Sequence, residues 1–377
     1  MSCVFTHSTC HIDLAALQRN FRRNGDPARL MPVIKADAYG HGLLQAARAL
    51  EACGASRFAV GCVEEGVDLR RAGHAQEIIA LLPPVTDDEM RQARAQDVTP
   101  LICTFADLER ARAVATAERP MPVVIKAETG MHRLGFRQED VPALIEALRA
   151  APELTPTLTL THGATEDCPD EDAYTNGQIA VFTAMSDALR AAFPSVRRSM
   201  LNSAGTLLYN STLSYEVARP GITLYGGNPF VGTAKEAAGA DFEWAMSLSS
   251  LILQVTELRK GETVSYGRIF TAPRDMRLAV VSAGYATGVP RSFSNCLDVL
   301  IHGRRARQVG RVCMSMIMVD VTDIPGVKAG EEVWLLGGEP VEGETAVTPQ
   351  DWATRLGSIS YEILCSLGAM NPRVWHG

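Results

Sequence analysis

The segment Leu30-Met31-Pro32-Val33-Ile34-Lys35 is a short apolar run that ends in a lysine, and the stretch from Leu43 to Leu50 after it repeats apolar side chains at spacings of three and four. An apolar run followed by an amphipathic stretch is typical of a buried strand followed by a helix. The pair recurs up to about residue 225, with runs at 30–34, 58–62, 78–82, 98–103, 121–125, 158–161, 198–201 and 215–218. Because parallel strands need crossover connections, eight such runs predict a (β/α)8 TIM-type barrel, although the last runs are weakly apolar.

The pattern changes at about residue 241, where β-type runs separated by glycines begin. They lie at 248–255, 277–281, 297–301, 316–321 and 333–336. A hairpin is predicted around His302-Gly303-Arg304, and Thr348-Pro349 predicts the start of a late helix, because threonine caps a helix and proline suits its first position. The sequence therefore predicts an α/β protein with an N-terminal barrel over residues 1–235 and a C-terminal mainly-β domain over residues 236–377.

The composition excludes several classes of protein. The chain has 377 residues, of which 46% are hydrophobic, with a net charge of −7 and a pI near 5.7. Such an acidic chain lacks the basic surface of a nucleic-acid-binding protein, and no apolar run approaches the ~18 residues that a membrane span needs. The first residues do not resemble a secretory signal. Nine cysteines form no Cys-x-x-Cys pair, so we predict a soluble cytoplasmic protein with reduced thiols and no metal site.

Reactive groups in a (β/α) barrel sit at the carboxyl ends of the strands. Lys35 ends the first predicted strand, where partial desolvation would lower its pKa and suit it to form an imine. Taken alone, it is better explained as a lysine whose charged end reaches solvent. Tyr39, Gly40 and Gly42 follow it and favour a ligand, because a hydroxyl group and a tight backbone can approach a phosphate.

Cations and an imidazole follow the later strands. Lys126 and Arg133 fit an anionic ligand, but a solvated basic loop explains them equally well. His162 follows the sixth run, where a structural histidine is the common case. Asn202-Ser203-Ala204-Gly205 and Arg219-Pro220-Gly221-Ile222 follow the last two runs, where barrels of this type bind phosphate. The arginine of the second segment could contact a ring nitrogen or pair with a surface carboxylate.

Four segments of the predicted β domain combine a polar or sulfur-containing side chain with glycine, serine or another turn residue. They are Ser265-Tyr266-Gly267-Arg268, Gly284-Tyr285, Cys313-Met314 and Ser360-Tyr361-Glu362. Each of them alone is better explained as a turn than as part of a site.

Together these segments resemble the alanine racemases over essentially the whole chain. Val33-Ile34-Lys35-Ala36-Asp37-Ala38-Tyr39-Gly40-His41-Gly42 is similar to that family's cofactor-lysine motif and is highly specific. Asn202-Ser203, Arg219-Pro220-Gly221-Ile222, Ser265-Tyr266-Gly267 and Gly310-Arg311-Val312-Cys313-Met314 follow in the family's order and approximate spacing. The resemblance implies a fold-type III enzyme that binds pyridoxal 5′-phosphate (PLP) in its barrel and forms a head-to-tail homodimer.

The resemblance also implies a role for each site residue. Lys35 would hold the cofactor as an imine, Arg219 would face the pyridine nitrogen, and His162 would contact Tyr266 of the partner subunit. The residues implied to bind the cofactor are Lys35, Tyr39, His162, Asn202, Ser203, Arg219, Gly221, Ile222 and Tyr361. Arg133 and the partner's Met314 would bind the substrate carboxylate, Lys126 matches a lysine often carbamylated in the family, and Tyr285, Asp167, Arg291 and Arg311 would form the entrance.

The implied reaction is the interconversion of L-alanine and D-alanine, which would supply D-alanine for peptidoglycan. Inverting Cα in place is simplest with two bases on opposite faces, one removing and one returning a proton. By the resemblance, Lys35 serves the D-isomer and Tyr266 serves the L-isomer. A phenol has an ordinary pKa near 10 and needs cationic neighbours to act as a base, and His162 and Arg219 would supply them.

The sequence departs from the family's usual motifs at four positions. Thr287 replaces the aspartate of Gly-Tyr-Ala-Asp-Gly, and Ser315 replaces the aspartate of Cys-Met-Asp. In Thr-His-Phe-Ala-Thr-Ala-Asp, Gly163 replaces the aromatic residue and Glu166 the second alanine. None of these is a cofactor or base residue, but two lost acids and a lost ring near the entrance leave the substrate range open.

Three alternatives remain at this point. A racemase of the same fold could act on serine or on a wider set of amino acids. A decarboxylase sharing both domains is less favoured, because its nucleophilic-cysteine and glycine-rich phosphate motifs are not evident. A non-catalytic PLP-binding protein would resemble the barrel alone, so the C-terminal β domain argues against it.

Overall fold

The computed structural model describes residues 7–377, which form two compact units. We call them the barrel unit (Ala16–Ala38 and Leu43–Glu243) and the β unit (the described residues through Ala15, Tyr39–Gly42 and Trp244–Gly377). The first strand, β1 (Thr9–Asp13), and Tyr39–Gly42 thus cluster with the C-terminal part of the chain. Among residues 7–377, no helix has both the length and the apolar composition needed to cross a bilayer.

Parallel strands build the barrel unit. Its regular strands are β2 (Arg57–Val60), β3 (Glu77–Ala80), β4 (Leu101–Ile102), β5 (Met121–Lys126), β6 (Leu154–Leu160) and β7 (Arg197–Ser199). β2 pairs with β3, and β4, β5, β6 and β7 pair in sequence order, always in parallel. Most of their side chains are buried and aliphatic, as expected for strands that are covered on both faces.

Short paired segments at the first and eighth strand positions complete the ring that these strands form. Segment 30–33 pairs in parallel with β2 on one side and with segment 217–218 on the other, and a single bridge joins β3 to the residues just before β4. The Arg219 N–H donates to the Leu201 carbonyl at 2.8 Å and links the eighth strand position to the seventh. Eight parallel positions in sequence order therefore close into a ring. The predicted (β/α)8 barrel is confirmed, with its first and eighth strands reduced to short segments.

Helices follow the strands of the barrel unit and cover them. The helical segments up to Tyr209 are α1 (Leu14–Arg23), α2 (Lys35–Tyr39), α3 (Leu43–Glu51), α4 (Val63–Arg71), α5 (Asp87–Ala95), α6 (Phe105–Arg112), α7 (Val141–Arg149), α8 (Asp172–Ala192) and α9 (Ser203–Tyr209). The apolar face predicted between Leu43 and Leu50 is buried in α3. Thr86 and Thr104 begin α5 and α6 with capping boxes, which satisfy N–H groups that a helix start leaves unpaired.

A mainly antiparallel sheet builds the β unit. Its strands besides β1 are β8 (Met246–Leu258), β11 (Met276–Val281), β12 (Asp298–Ile301), β13 (Arg304–Val309), β14 (Ile317–Asp320), β15 (Glu332–Leu336) and β16 (Arg373–His376). A separate antiparallel pair is formed by β9 (Thr263–Val264) and β10 (Phe270–Thr271). The sheet order is β11-β14-β13-β12-β15-β8-β1-β16, and a further pairing of β11 with β8 closes the circuit between them. β1 runs antiparallel to β8 and parallel to β16. The predicted mainly-β character of the C-terminal region is confirmed.

Local predictions in the β unit are confirmed except for the number of late helices. His302 and Gly303 join β12 to β13 with φ of 50° and 74°, and a two-residue hairpin turn of type I′ needs positive φ at both positions. Thr348 caps α10 (Pro349–Leu356) through a capping box with Asp351. A second helix, α11 (Ser360–Met370), follows. The sequence pattern did not separate it from α10 because no side chain caps its start.

Candidate active site

Lys35 stands where the first barrel strand ends and a left-handed turn begins. Ala36, Asp37 and Ala38 have φ of 53°, 54° and 55°, so α2 winds in the opposite sense to an ordinary helix. This conformation costs about 1–2 kcal/mol for each residue with a side chain, and strain of this kind clusters at functional sites. Lys35 and Ala36 are both exposed in the single chain, so the partial desolvation expected for Lys35 stays a prediction.

The carboxylate of Glu65 holds the left-handed turn in place. One of its oxygens accepts the Asp37 N–H at 3.0 Å, and the other accepts the Gly61 N–H at 2.6 Å. Asp37 in turn accepts the N–H of Leu43, the first residue of α3, at 2.6 Å. These bonds to charged groups offset the strain of the turn. Sequence reasoning missed Glu65, because an acidic residue in the first turn of a helix is common.

Four cations act on one imidazole in the barrel unit. Burial lowers the pKa of His162 well below its usual 6.5, and the positive charges of Arg219, Arg133, Lys126 and Lys35 lower it further. The ring is therefore neutral at neutral pH. The structure thus brings together residues that follow the first, fifth, sixth and eighth strands, as the barrel prediction requires.

Arg219 is a buried donor. Its guanidinium donates to the Ser199 hydroxyl, to the Thr161 carbonyl at 2.6 Å and to Nδ1 of His162 at 3.4 Å. Because an arginine can only donate, Nδ1 accepts, and the proton of the neutral imidazole is on Nε2. Burial lowers the pKa of Arg219 to about 10, and the negative charge of Glu166 opposes that shift. The alternative in which Arg219 pairs with a surface carboxylate is therefore wrong.

Lys126 is buried at the end of β5, so the solvated-loop alternative is wrong for this residue. Its ammonium group donates to the carbonyl of Ala127 at 2.9 Å. Burial, followed by the charge of Arg219, lowers the pKa of Lys126 to about 8. Glu128, which sequence reasoning missed, accepts the Arg133 N–H at 3.2 Å and holds the loop that carries this arginine. No pattern in the sequence distinguishes this carboxylate from a surface one.

Backbone N–H groups converge on the hydroxyl of Ser203. Its Oγ accepts the N–H of Gly221 at 2.9 Å and the N–H of Thr223 at 3.4 Å. Asn202 precedes it and caps α9, accepting the Gly205 N–H at 3.1 Å. Ile222 lies between the two donors, at the start of a short 3-10 helix. Convergent N–H groups at a helix start suit a phosphate group, and they lie after the seventh and eighth strands, as predicted.

Tyr39 and Tyr361 lie together in the β unit, with ring centroids 6.0 Å apart. Burial raises the pKa of Tyr39, which keeps its hydroxyl protonated and able to donate. Gly40 has a φ of 82°, and a Cβ on it would lie 2.5 Å from the Leu364 carbonyl and 3.1 Å from the Cα of Gly368. The tight backbone predicted at Gly40 is therefore explained by packing on α11.

Tyr266 and Met314 belong to one hydrogen-bonded region of the β unit. The Ser265 hydroxyl, next to Tyr266, donates to the Arg311 carbonyl at 2.8 Å and lies 3.3 Å from Sγ of Cys313. The residues Tyr266 and Met314 are 71% and 59% exposed. The backbone around them is thus fixed while the two side chains remain available for a contact.

The residues predicted at the entrance are distributed over both units. Tyr285, in the β unit, is exposed, and its N–H donates to the Cys313 carbonyl at 3.1 Å. Asp167 and Arg291 are also exposed, in the barrel unit and the β unit respectively. Thr287 is fully buried and accepts the Gly284 N–H at 3.1 Å. Its replacement of the family's acid therefore closes a turn and leaves no gap at the surface.

Two family models match the chain. The model of the alanine racemase N-terminal domain matches residues 12–229, and that of the alanine racemase C-terminal domain matches residues 245–375. A curated relative, the alanine racemase of Nitratidesulfovibrio vulgaris (strain Miyazaki F), is 44% identical over 375 residues and is covered, like this chain, to 99%. These matches include both units.

Solved structures agree with the sequence relatives. The alanine racemase from E. faecalis has a TM-score of 0.89 at 28% identity, with 100% of each chain covered. The alanine racemase from Bacillus anthracis, solved with bound L-Ala-P, has a TM-score of 0.87 at 26% identity and covers 100% of this chain and 96% of its own. By sequence over nearly its whole length and by structure, this chain belongs to the alanine racemase family of isomerases.

Proposed function

We propose that this protein interconverts L-alanine and D-alanine with PLP bound at the barrel unit and with residues from two subunits. The observation that carries the proposal is the set of four cations, among them Lys35, that act on His162. Such a site suits an anionic ligand, and a lysine within it can bind a carbonyl group covalently. The relatives named alanine racemase, one of them solved with bound L-Ala-P, support alanine as the substrate.

The residues around these cations fit PLP. The hydroxyl group of Ser203 and the backbone N–H groups of Gly221 and Ile222 could donate hydrogen bonds to a phosphate, which would replace the Gly221–Ser203 bond. By resemblance, Asn202 and the hydroxyl groups of Tyr39 and Tyr361 would complete this end of the site.

When bound, PLP supplies a conjugated electron sink that stabilises negative charge on the Cα atom of an amino acid. Arg219 would hold the pyridine nitrogen. Its pKa of about 10 means that it keeps its proton at neutral pH, so it donates a hydrogen bond and leaves the nitrogen unprotonated. Arg133 and the backbone of the partner's Met314 would bind the substrate carboxylate and orient Cα.

Lys35 and Tyr266 of the partner subunit would move the proton at Cα, one on each face. A phenol is a weak base unless neighbouring cations stabilise its anion. Arg219 donates to the neutral ring of His162. Arg219 would therefore supply the positive charge, whereas His162, expected from the resemblance to be a second cation, would donate a hydrogen bond from Nε2. The 71% exposure of Tyr266 in the single chain is what a residue that reaches into a second subunit needs.

The arrangement requires a homodimer, which by resemblance pairs head to tail. Each barrel unit would receive Tyr266 and Met314 from the β unit of the other subunit, with Tyr285, Asp167, Arg291 and Arg311 around the entrance. The D-alanine formed in the cytoplasm would serve peptidoglycan synthesis.

We further propose that Lys126 carries a carbamate group. Only a neutral amine reacts with carbon dioxide, and the pKa of about 8 leaves a large neutral fraction at slightly alkaline pH. The modification would replace a cation by an anion beside Arg133 and Arg219. Both arginines lower the pKa of Lys126 in the structure, so their charges would favour an anion at the same place.

Serine or broad-specificity racemisation is the second candidate, and the structure favours it less. Thr287 is buried in its own turn, and the Glu166 side chain occupies the space beside Gly163. The changes at Thr287 and Gly163, which left the substrate range open, therefore do not add space at the protein surface. Ser315, which is exposed, is the change that still bears on substrate size.

The test compares wild-type protein with Lys35→Ala. The wild type should bind PLP with visible absorbance and should racemise alanine faster than serine, lysine or arginine. Lys35→Ala should lose the absorbance and the activity, whereas Lys328→Ala, which removes a 78% exposed lysine, should keep both. If borohydride still traps PLP on Lys35→Ala, another lysine holds the cofactor. Faster turnover of serine than of alanine would contradict the proposed substrate.

A further inference from the structure

Glu166 is a buried acid in the loop after β6. Its residue is 2% exposed, although a carboxyl group in such a position normally needs a charged partner. One oxygen, Oε2, accepts the N–H of Asn202 at 3.2 Å. The other, Oε1, has no hydrogen-bond partner among the described residues. The single bond joins the loop that carries His162 to the turn that carries Ser203.

Two glycines leave the space that this side chain fills. A Cβ on Gly163 would overlap Cγ and Cδ of Glu166, and a Cβ on Gly205 would lie 2.8 Å from Cδ. Neither glycine has a left-handed φ, so neither is required by its backbone conformation. Both positions are therefore explained by the volume of Glu166. The glycine at 163 and the acid at 166 are one coupled departure from the family's aromatic residue and alanine.

The Glu166 carboxyl group also acts on Arg219. Burial raises the pKa of Glu166 to about 7, and the Asn202 N–H and the charge of Arg219 oppose that rise. In return, the carboxylate raises the pKa of Arg219. Within residues 7–377, Asp167, Tyr209 and Tyr215 also interact with Glu166, and none of these three is a cation. Arg219 is thus the positive charge that balances this acid.

We propose that Glu166 is a positioning residue of the PLP site, which sets the Asn202–Ser203 turn through its hydrogen bond and the charge around Arg219 through its carboxylate. The inference rests on the proposed function, because it gives the residue a task only if PLP binds beside Ser203 and Arg219. Glu166 itself would not touch the cofactor or the reacting atoms. Its effect would pass through Ser203 and Arg219, the residues proposed to contact PLP.

The first test concerns space and uses the dissociation constant of PLP. Glu166→Ala should weaken PLP binding about tenfold, as expected for the loss of one hydrogen bond to a charged group. Gly163→Ala should weaken it to a similar extent, because the new methyl group displaces Glu166. The double variant should be no weaker than Glu166→Ala, since the clash is then gone. Gly177→Ala, in an open position on α8, is the matched control and should bind as the wild type does.

The second test concerns charge and uses the absorbance of the bound cofactor as a function of pH. Glu166→Gln keeps the volume and an oxygen acceptor but removes the ionisation. The wild-type spectrum should change with an apparent pKa near 7, the value for Glu166, and Glu166→Gln should lack this change. Glu146→Gln, which removes an exposed acid on α7, should keep it.

Each result decides a different claim. If the wild type binds no PLP, the proposed function fails. If the wild type binds PLP and Glu166→Ala binds it equally well, the positioning role is wrong. If Glu166→Gln keeps the wild-type dependence on pH, the carboxyl group only fills space and the proposal is overturned. Additive losses in Gly163→Ala and Glu166→Ala would overturn the coupling between the two positions.

Discussion

At the scale of single residues, burial shifts the pKa values of the ionisable side chains in the barrel unit and so determines their protonation states. His162 is neutral because burial and four cations oppose its protonation. Lys126 and Glu166 have their pKa values moved towards neutrality, to about 8 and about 7 respectively. Residues with such shifts concentrate at functional sites, because a group whose pKa lies near the working pH can change its charge there.

The first residue-scale prediction concerns the free energy of unfolding of Glu166→Gln. The pKa of Glu166 rises from 4.5 to about 7 on folding, so between these values the folded state keeps a proton that the unfolded state has lost. Wild-type stability from this group therefore falls as pH rises through that window, by up to about 3 kcal/mol. Glutamine does not titrate. The advantage of Glu166→Gln should grow from pH 4.5 to 7 and then level off.

Urea unfolding midpoints measured across this pH range check the prediction, with Glu146→Gln as the exposed control. A difference between wild type and Glu166→Gln that stays constant with pH would contradict it.

The second residue-scale prediction concerns the two faces of Cα. Tyr266→Phe should retain PLP and lower racemisation by about 10²- to 10⁴-fold, the usual effect of losing a general base. Exchange of the Cα hydrogen with solvent deuterium should survive better for D-alanine than for L-alanine if Lys35 is the base for the D-isomer, as proposed. Proton NMR of each isomer in D2O measures both rates. Equal losses of exchange would count against Tyr266 as the second base.

At the scale of elements, the left-handed turn after Lys35 is a strained connection between a strand and a helix. Glu65, in α4, accepts the N–H of Asp37 in the turn and the N–H of Gly61 after β2, and Asp37 accepts the N–H of Leu43 at the beginning of α3. These bonds join the first strand–helix unit of the barrel to the second. The turn is thus held by carboxylates that the neighbouring helix and the turn itself supply.

The element-scale prediction compares one substitution in two conformations. Ala36 is exposed in the left-handed turn, and Ala184 is exposed within the right-handed helix α8. At position 36, glycine removes the steric cost of the left-handed conformation. At position 184, it only increases the conformational entropy of the unfolded chain. Ala184→Gly should therefore lose about 1 kcal/mol of stability, whereas Ala36→Gly should lose none, since strain relief offsets the entropy.

Denaturant unfolding of both variants measures the difference. Equal destabilisation by the two substitutions would mean that residues 36–39 are not left-handed in solution.

At the scale of the whole molecule, the β unit collects segments that lie far apart in the sequence. Trp375 in β16 donates through Nε1 to the His41 carbonyl at 2.8 Å, and Arg373 donates to the Gly40 carbonyl at 3.1 Å. The segment that carries Tyr39 is thus fixed by the C-terminal strand, and Tyr361 on α11 packs beside it. Folding of the last 20 or so residues therefore determines where one predicted cofactor ligand lies.

The whole-molecule prediction tests whether two chains share each site. Lys35→Ala and Tyr266→Phe should each be nearly inactive as homodimers. If Lys35 acts with Tyr266 of the partner subunit, a heterodimer of the two variants has one intact site and should regain activity. Racemisation is measured after subunit exchange, with native mass spectrometry to count heterodimers. Proven exchange without recovered activity would mean that the sites are not shared.

The sequence predicted the barrel because apolar runs and amphipathic stretches alternate with the spacing that parallel strands and helices need. It also located the residues of the cation cluster, since any residue that follows a barrel strand lies at the same end of the ring. The hairpin at His302-Gly303 and the start of α10 at Thr348 were predictable because turn and cap preferences depend on a few neighbouring residues.

Other features depend on contacts between distant residues, which a local pattern does not contain. The pairing of β1 with β8 and β16, the burial of Lys126 and the packing of Gly40 on α11 follow from the tertiary structure alone. Gly163 and Glu166 were visible in the sequence as two departures from a motif. Only the folded chain places the acid in the volume that Gly163 and Gly205 leave open, because volume is shared between segments that meet in space.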